Sequence, residues 1–484
     1  MTVQDTGPAT APDAAAETQA QLSAEIEAGH AAYAAGLERG EPQEHGPRKN
    51  WPPYRSSLLR HPTKDLRHAD PETIELYSPV FGERDIGPLE ADLTVQRGGE
   101  PIGERIVVRG RVVDGEGRPV RRQLVEVWQA NAAGRYVHKR DQHPAPIDPN
   151  FTGIGRMLTD DDGWYRFQTI KPGPYPWKNH FNAWRPAHIH FSLFGREITQ
   201  RIVTQMYFPG DPLFALDPIY QSIQDPRARE RLVATYDHDV SEHEWATGYR
   251  WDIVLTGRTA PGPSRRTAMS DVLPQPLPPT PGQTVGPFFG FALPYERGNE
   301  LVEAGTPGAV RLHGTVRDGA GDPVPDAMLE IWQADPAGGV PARSGSLLRD
   351  GTFTGWGRAE TDREGGYWFR TLTPGATEAG RAPFFHVTLF ARGLQTRLFT
   401  RAYLPEGPGR PPTRCSPRWT RGTGRRWSRC ASRTARCAGT CGCRGRRDGV
   451  PHLRRGGRRG QGRRRCVTPA CCSRVRPAAT GPAT

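Results

Sequence analysis

The chain has 484 residues, 36% hydrophobic and 24% charged, which is enough apolar material for packed cores and, at roughly 100–200 residues per domain, for two to four of them. No run approaches the ~18–20 apolar residues that cross a bilayer, which excludes a membrane protein, and 56 Gly with 48 Pro disfavour a helical bundle and favour short strands joined by turns. The net charge of +13 resembles that of a nucleic-acid binder, but residues 414–484 hold 20 Arg and a single acid, Asp448, leaving 45 basic against 51 acidic residues in 1–413.

Residues 1–49 read as an N-terminal extension. Within it 17–38 can form a helix with a weak apolar stripe of Leu22, Ile26 and Tyr33. The stretch 39–62 is rich in Pro and charge and reads as an extended arm. Beyond it the chain repeats itself. GRVVDGEGRPVRRQLVEVWQAN at 110–131 returns as GTVRDGAGDPVPDAMLEIWQAD at 314–335, and FTGIGRMLTDDDGWYRFQTIKPG at 151–173 returns as FTGWGRAETDREGGYWFRTLTPG at 353–375. The first copy spans 50–257, a Pro-rich linker spans 258–281, and the second copy spans 282–413. Runs such as ERIVVRGRVVD, QLVEVWQA, YRFQTI and HIHFSLF are β-branched and aromatic, with Gly, Pro and Asp between them. That spacing predicts an all-β protein of two antiparallel sandwiches.

The chemistry gathers in copy 1. His188 and His190 flank Ile189, so on a strand both imidazoles face one way and can chelate. An ordinary polar strand face is the competing reading. The repeat serves as an internal control: His190 aligns with His386, but His188 aligns with Phe384, Tyr136 with Val340 and Tyr175 with Thr377. Copy 2 keeps the scaffold and loses three of four candidate ligands, which favours one metal site per chain, in copy 1. Two His with two Tyr suit a hard oxidised ion, because a phenol with a pKa near 10 ionises at neutral pH only beside strong positive charge. Fe(III) meets that requirement, and an open position would suit a chelating diol. Arg185 and Gln205 crowd the same segments, Arg185 either stabilising developing negative charge or making a strand-end salt bridge. Trp128, Trp177 and Trp184 could wall an aromatic pocket, with Trp128 read first as core because Trp332 matches it.

With GERIVVRGRVVD, GRYVHKRDQHPAPIDPNFTGIGR, TIKPGPYPWKNHFNAWRPAHIHFSLFG and TQMYFPGDPLFALDPI in view, copy 1 resembles the iron-holding β subunits of the intradiol ring-cleaving dioxygenases. Copy 2, through PPTPGQTVGPFFGFAL, HGTVRDG, LEIWQAD, FTGWGR and HVTLFARG, is similar to their α subunits, here joined head to tail. The resemblance implies one non-haem Fe(III) per chain on Tyr136, Tyr175, His188 and His190. It implies cleavage of protocatechuate (3,4-dihydroxybenzoate) with O2 to 3-carboxy-cis,cis-muconate. Tyr175 would leave the metal as the diol arrives, and Arg185 and Gln205 would assist. Tyr54 and Arg60 would approach the substrate carboxylate, Trp177 would wall the pocket, and Gly286, Pro287 and Arg392 would line it from the α half. Several fused αβ units are expected to assemble as a homo-oligomer, with no nucleic-acid or membrane partner.

All eight cysteines lie beyond residue 413. The cysteine-free body and the lack of a signal-like N-terminus fit a cytoplasmic protein. Residues 414–484 contain no Tyr, Phe, Ile, Lys or Glu, and nothing there matches the YRWDIVL strand that ends copy 1. A basic nucleic-acid tail lacks a motif, and C-x3-C-x-C lacks zinc-pair geometry. A reading-frame shift explains the break better, and it is expected to leave the second sandwich with an open edge. Rival functions are intradiol cleavage of catechol or hydroxyquinol, or a non-catalytic binding sandwich; the α-like half argues against the first and the copy 1 ligands against the second.

Overall fold

A computed structural model describes residues 11–66, 69–255, 277–404 and 474–477. A helix, α1 (Ala11–Glu38), opens the chain, starting six residues before the expected helix. Gly40, at φ +79, ends it by taking a left-handed conformation closed to most residues. Leu22, Ile26 and Tyr33 are buried along one face, at the spacing of an amphipathic helix.

The first sandwich is built from β1 (Arg105–Val113), β2 (Leu124–Trp128), β3 (Ile154–Leu158), β4 (Trp164–Ile170), β5 (Tyr175–Trp177), β6 (Ala183–Arg185), β7 (His188–Leu193), β8 (Ile202–Tyr207), β9 (Thr235–Tyr236), β10 (Thr247–Arg250) and β11 (Ile253–Val254). One sheet runs β3-β2-β7-β8; the other centres on β1, flanked by β4, β10 and β11. Tyr165, Phe167 and Thr169 of β4 all point into the core, as period-2 alternation requires. The second sandwich repeats the plan with β12 (Ala309–Thr315), β13 (Ala327–Trp332), β14 (Trp356–Glu360), β15 (Gly366–Leu372), β16 (Phe384–Ala391) and β17 (Leu398–Tyr403). Its order β14-β13-β16-β17 reproduces the first, and Trp128 faces His190 as Trp332 faces His386.

Three expectations change. The fold is not purely all-β: among the described residues there are, besides α1, two short α-helices, α2 (Pro218–Gln221) and α3 (Pro226–Glu230). Nor is all pairing antiparallel, since β1 pairs in parallel with β10 and β11. The long path from β8 through α2 and α3 lets the chain return in the direction of β1, which a tight turn forbids. The open edge expected on the second sandwich is covered: β18 (Arg474–Pro477) pairs antiparallel with β12, beside Val310–His313. Unpaired edge groups accept any extended segment. Apart from β18, the anomalous tail and its cysteines lie outside the described residues, as does most of the expected linker. Its last residues lie on the first sandwich, with Leu277 N–H donating to Gly115 O and Thr280 N–H to Val254 O.

The two halves meet through exchanged ion pairs. Arg358 of β14 makes two 2.8 Å bonds to Glu126 of β2, and Arg201, just before β8, bonds Glu330 of β13 at 2.9 and 3.0 Å. All four side chains are 0–1% exposed. Burial pushes the Glu126 carboxyl up, but Arg358, Arg156 and Arg201 outweigh it and hold it at about 2. A second clip joins the segment between the arm and β1 to copy 2, where Glu75 meets His386 and Arg401 and is likewise held at about 2. Carboxyls depressed on folding add stability above their ordinary value of 4.5 and lose it as pH falls through the folded value. The melting temperature is therefore expected to fall steadily from about pH 5 downward. A flat profile over that range in a thermal scan would contradict this role.

Candidate metal centre

Four rings converge where the sheet β3-β2-β7-β8 meets the β5–β6 hairpin. His188 and His190 stand two apart on β7 with ring centroids 4.9 Å from each other. The hairpin pairs Tyr175 directly opposite Arg185, and Arg185 sits three residues before His188. Tyr136 comes from the turn after β2, its N–H donating to Asp141 at 2.8 Å. That turn presses against the hairpin at Gly134, where φ is +76 and a Cβ would stand 2.2 Å from Pro174 O. The result is a Tyr136–Tyr175 centroid distance of 5.4 Å and a Tyr175–His188 distance of 5.4 Å.

The orientation of each ring has a cause. His188 Nδ1 lies 2.7 Å from Pro186 O, so it donates its proton there and leaves Nε2 with a lone pair that faces Arg185 Nη1 at 3.1 Å and the Tyr175 hydroxyl at 3.4 Å. His190 stacks on Trp128 at 4.7 Å and 9°. Burial lowers both imidazole pKa values well below 6.5, with Arg185 adding to the shift, so both rings are neutral and able to ligate. Burial raises both phenols, Tyr136 most strongly. Among the described residues, the Tyr136 hydroxyl makes no well-formed hydrogen bond and His190 Nδ1 has no partner. Buried polar atoms left this way cost free energy unless something satisfies them. A cation that ionises the phenols would do so. Among the described residues no three His, Cys, Asp or Glu gather, so a metal here depends on the tyrosines.

Arg185 lies 2% exposed behind this ring of four. Its Nη1 is 3.1 Å from His188 Nε2, and its Nη2 donates to Gln205 Oε1 at 2.8 Å and Asp217 Oδ2 at 2.9 Å. Burial would favour a neutral guanidinium, but Asp217 and the neighbouring tyrosines hold it firmly charged. Sequence reasoning missed Asp217 and Tyr207, whose hydroxyl lies 3.0 Å from both Gln205 and Gln283. Neither gave a signal: Tyr207 is matched by Tyr403 across the repeat and so reads as scaffold, and copy 2 breaks off before the equivalent of Asp217.

The α-like half reaches the site through the strap 283–287. Gln283 N–H donates to Val203 O, and Gln205 Nε2 donates to Thr284 O at 3.2 Å. Gly286, at φ +74, lays bare backbone on His190, its absent Cβ 3.5 Å from Cε1. Pro287 follows, half-buried. Trp177 stacks near Arg185 at 5.7 Å and near Tyr54 at 5.6 Å. The Tyr54 hydroxyl accepts from Gly393 N–H at 2.9 Å. Arg60 and Arg392 are drawn together rather than left open: both bond Asp326, Arg392 through Nε at 2.8 Å. The Arg392 side chain is 40% exposed.

The matching place in copy 2 is built differently. Phe384 and Thr377 supply no ligand, and His386 is taken up by Glu75 at 2.9 Å and Thr388 at 3.3 Å. An ion-pair cluster fills the position that the four rings surround in copy 1.

A family profile described as "Dioxygenase" matches residues 76–257 and 285–385, and one described as "Protocatechuate 3,4-dioxygenase beta subunit N terminal" matches 39–72. The chain is similar to the protocatechuate 3,4-dioxygenase beta chain of Burkholderia cepacia, 60% identical over 211 residues, 43% of this chain and 89% of that protein. It is also similar to the alpha chain from the same organism, 39% identical over 142 residues, 27% of this chain and 72% of that protein. Against hydroxyquinol 1,2-dioxygenase of Rhizobium sp. (strain MTP-10005) it is 29% identical over 167 residues, 31% of this chain and 53% of that protein. Among solved structures, 3-chlorocatechol 1,2-dioxygenase from Rhodococcus opacus 1CP covers 37% of this chain and 66% of its own length, at 25% identity and a TM-score of 0.28.

Proposed function

The chain belongs to the intradiol ring-cleaving dioxygenases, as a head-to-tail fusion of a β-type and an α-type subunit, and on that premise we propose that it cleaves protocatechuate with O2 to 3-carboxy-cis,cis-muconate, using one non-haem Fe(III) per chain. The observation that carries this reading is the buried set of two phenols and two neutral imidazoles, with the Tyr136 hydroxyl and His190 Nδ1 lacking a well-formed hydrogen bond among the described residues. A ferric ion held by Tyr136, Tyr175, His188 and His190 would keep the phenols ionised and offer open positions to a diol. Zn²⁺, which favours Cys and His, fits the donor set less well.

The protein's own groups then have distinct tasks. Arg185, held charged by Asp217, places its guanidinium beside Tyr175 and His188, where it favours negative charge on the bound diolate. Gln205 ties Arg185 to the strap of the α-like half through Thr284, so the two halves fix that charge together. Tyr175 has a raised pKa, so once released it takes up a proton at its hydroxyl, relieving the diol of one. Trp177 and Tyr54 wall the ring edge, and the outer face of Arg392 is the cation that meets a substrate carboxylate. Arg60, tied to Asp326 and to Arg392 O, acts behind it. The catalytic half at 50–257 and the iron-free half at 282–413 are part of the same proposal, as is a homo-oligomer of fused units. Higher identity to the protocatechuate chains than to the hydroxyquinol enzyme favours this substrate over other diols.

The test is a visible spectrum of the full chain, recorded without oxygen before and after protocatechuate, followed by oxygen and identification of the product. A broad tyrosinate band that moves to longer wavelength, then 3-carboxy-cis,cis-muconate, is expected. A protein that stays colourless after ferric iron is supplied sinks the reading. Turnover of catechol with protocatechuate untouched would replace the substrate.

A further inference from the structure

Helix α1 lies outside every residue that the family profiles match, which begin at 39. It nevertheless packs on the wall of the pocket. Leu22 (0% exposed) and Ile26 (5%) form one apolar cluster with Trp51, Tyr54 and Ile219, against which Trp177 packs. Gly29 lets the helix approach until its absent Cβ would stand 2.4 Å from the Trp51 ring. Polar ties fix the helix to both sides of that wall. Glu25 pairs with Arg55 at 2.8 Å on the arm, and Gln19 lies 3.1 Å from His180 in the turn of the β5–β6 hairpin. That hairpin carries Tyr175, Trp177 and Arg185.

We propose that α1 is a brace for the substrate pocket, in which Leu22, Ile26 and Gly29 are positioning residues that hold Tyr54 and Trp177 against the diol. The inference rests on the proposed function for the identity of the ligand, though not for the brace itself. The geometry separates two effects. The iron ligands on β7 and in the Tyr136 turn have other supports, in Pro186, Trp128 and Asp141. Tyr54 shares the apolar cluster with α1, and Trp177 packs against that cluster. Loosening the helix should therefore weaken the grip on the substrate ring before it disturbs the metal.

Two variants of the iron-loaded full chain test this. Leu22→Ala removes packing. Gly29→Ala favours the helix itself, since Ala is the better helix former, yet wedges it off Trp51. Both are expected to raise KM for protocatechuate about tenfold, with kcat and the tyrosinate band within about twofold of the parent, and Leu22→Met should recover most of the loss. Hydrogen exchange followed by mass spectrometry should quicken in segments 51–57 and 175–185 in both variants. An unchanged KM, or exchange confined to α1, overturns the brace. Loss of the band together with kcat also overturns it, because α1 would then support the metal rather than the wall. A parent chain that turns over no diol ends the functional reading alone; faster exchange at 51–57 and 175–185 still supports the brace, and unchanged exchange there rejects it.

Discussion

His188→Ala is expected to strip the protein of its ferric iron and its visible band, and to abolish diol cleavage. Its Nε2 lone pair is aimed into the site by the Nδ1 proton given to Pro186 O. Losing a ligand should cost more than the roughly 10–100-fold that outer-shell partners of metal ligands contribute. Tyr136→Phe should act similarly, since it removes an oxygen that makes no well-formed hydrogen bond among the described residues and leaves the site with one phenol to offset the ion's charge. The matching change in the other half, His386→Gln, should leave iron and colour intact while lowering stability, because His386 serves Glu75 there. Iron content, visible spectrum and circular dichroism on the three variants separate these outcomes. A folded His188→Ala protein with a full complement of iron would refute the ligand set.

Arg358→Met should produce the largest loss of stability of any single change at the junction. Arg358 forms an ion pair with each of the two buried carboxylates, Glu126 at 2.8 Å and Glu330 at 2.8 Å. Removing it leaves two negative charges that are 1% exposed, of which Glu330 keeps Arg201, and Glu126 keeps the Ser192 hydroxyl at 2.7 Å and Arg156 at 3.6 Å. Breaking a buried pair from one side costs about 3–5 kcal/mol, whereas replacing the whole pair with apolar groups is often neutral. Urea unfolding should show the full loss for Arg358→Met and a partial return when Glu126→Leu is added. If the single variant unfolds with the parent, the exchanged pairs contribute nothing to holding the halves together.

Much of this was legible in the chain. The strands show because period-2 alternation is a local property, as in Tyr165, Phe167 and Thr169. The four candidate ring ligands stand out because the repeat supplies a second copy in which Phe384, Val340 and Thr377 replace three of them while His386 keeps the fourth, and such a loss on a retained scaffold is visible without coordinates. What tertiary structure alone decided shares one cause: each feature joins residues far apart in the chain with no local pattern to announce it. Glu126 and Arg358 are 232 residues apart, and Glu75 and His386 are 311 apart. In sequence each is an isolated charge on a strand or in the segment before β1, equally suited to solvent; only burial makes the pairing obligatory. Arg60 and Arg392 read as two free cations until the fold set Asp326 between them. The parallel partners of β1 depended on where a path of some forty residues from β8 brings the chain back, a route that no single residue specifies. The weak stripe of α1 showed that a helix could form; only Trp51 and Tyr54, brought beneath Leu22 and Ile26, showed what it covers.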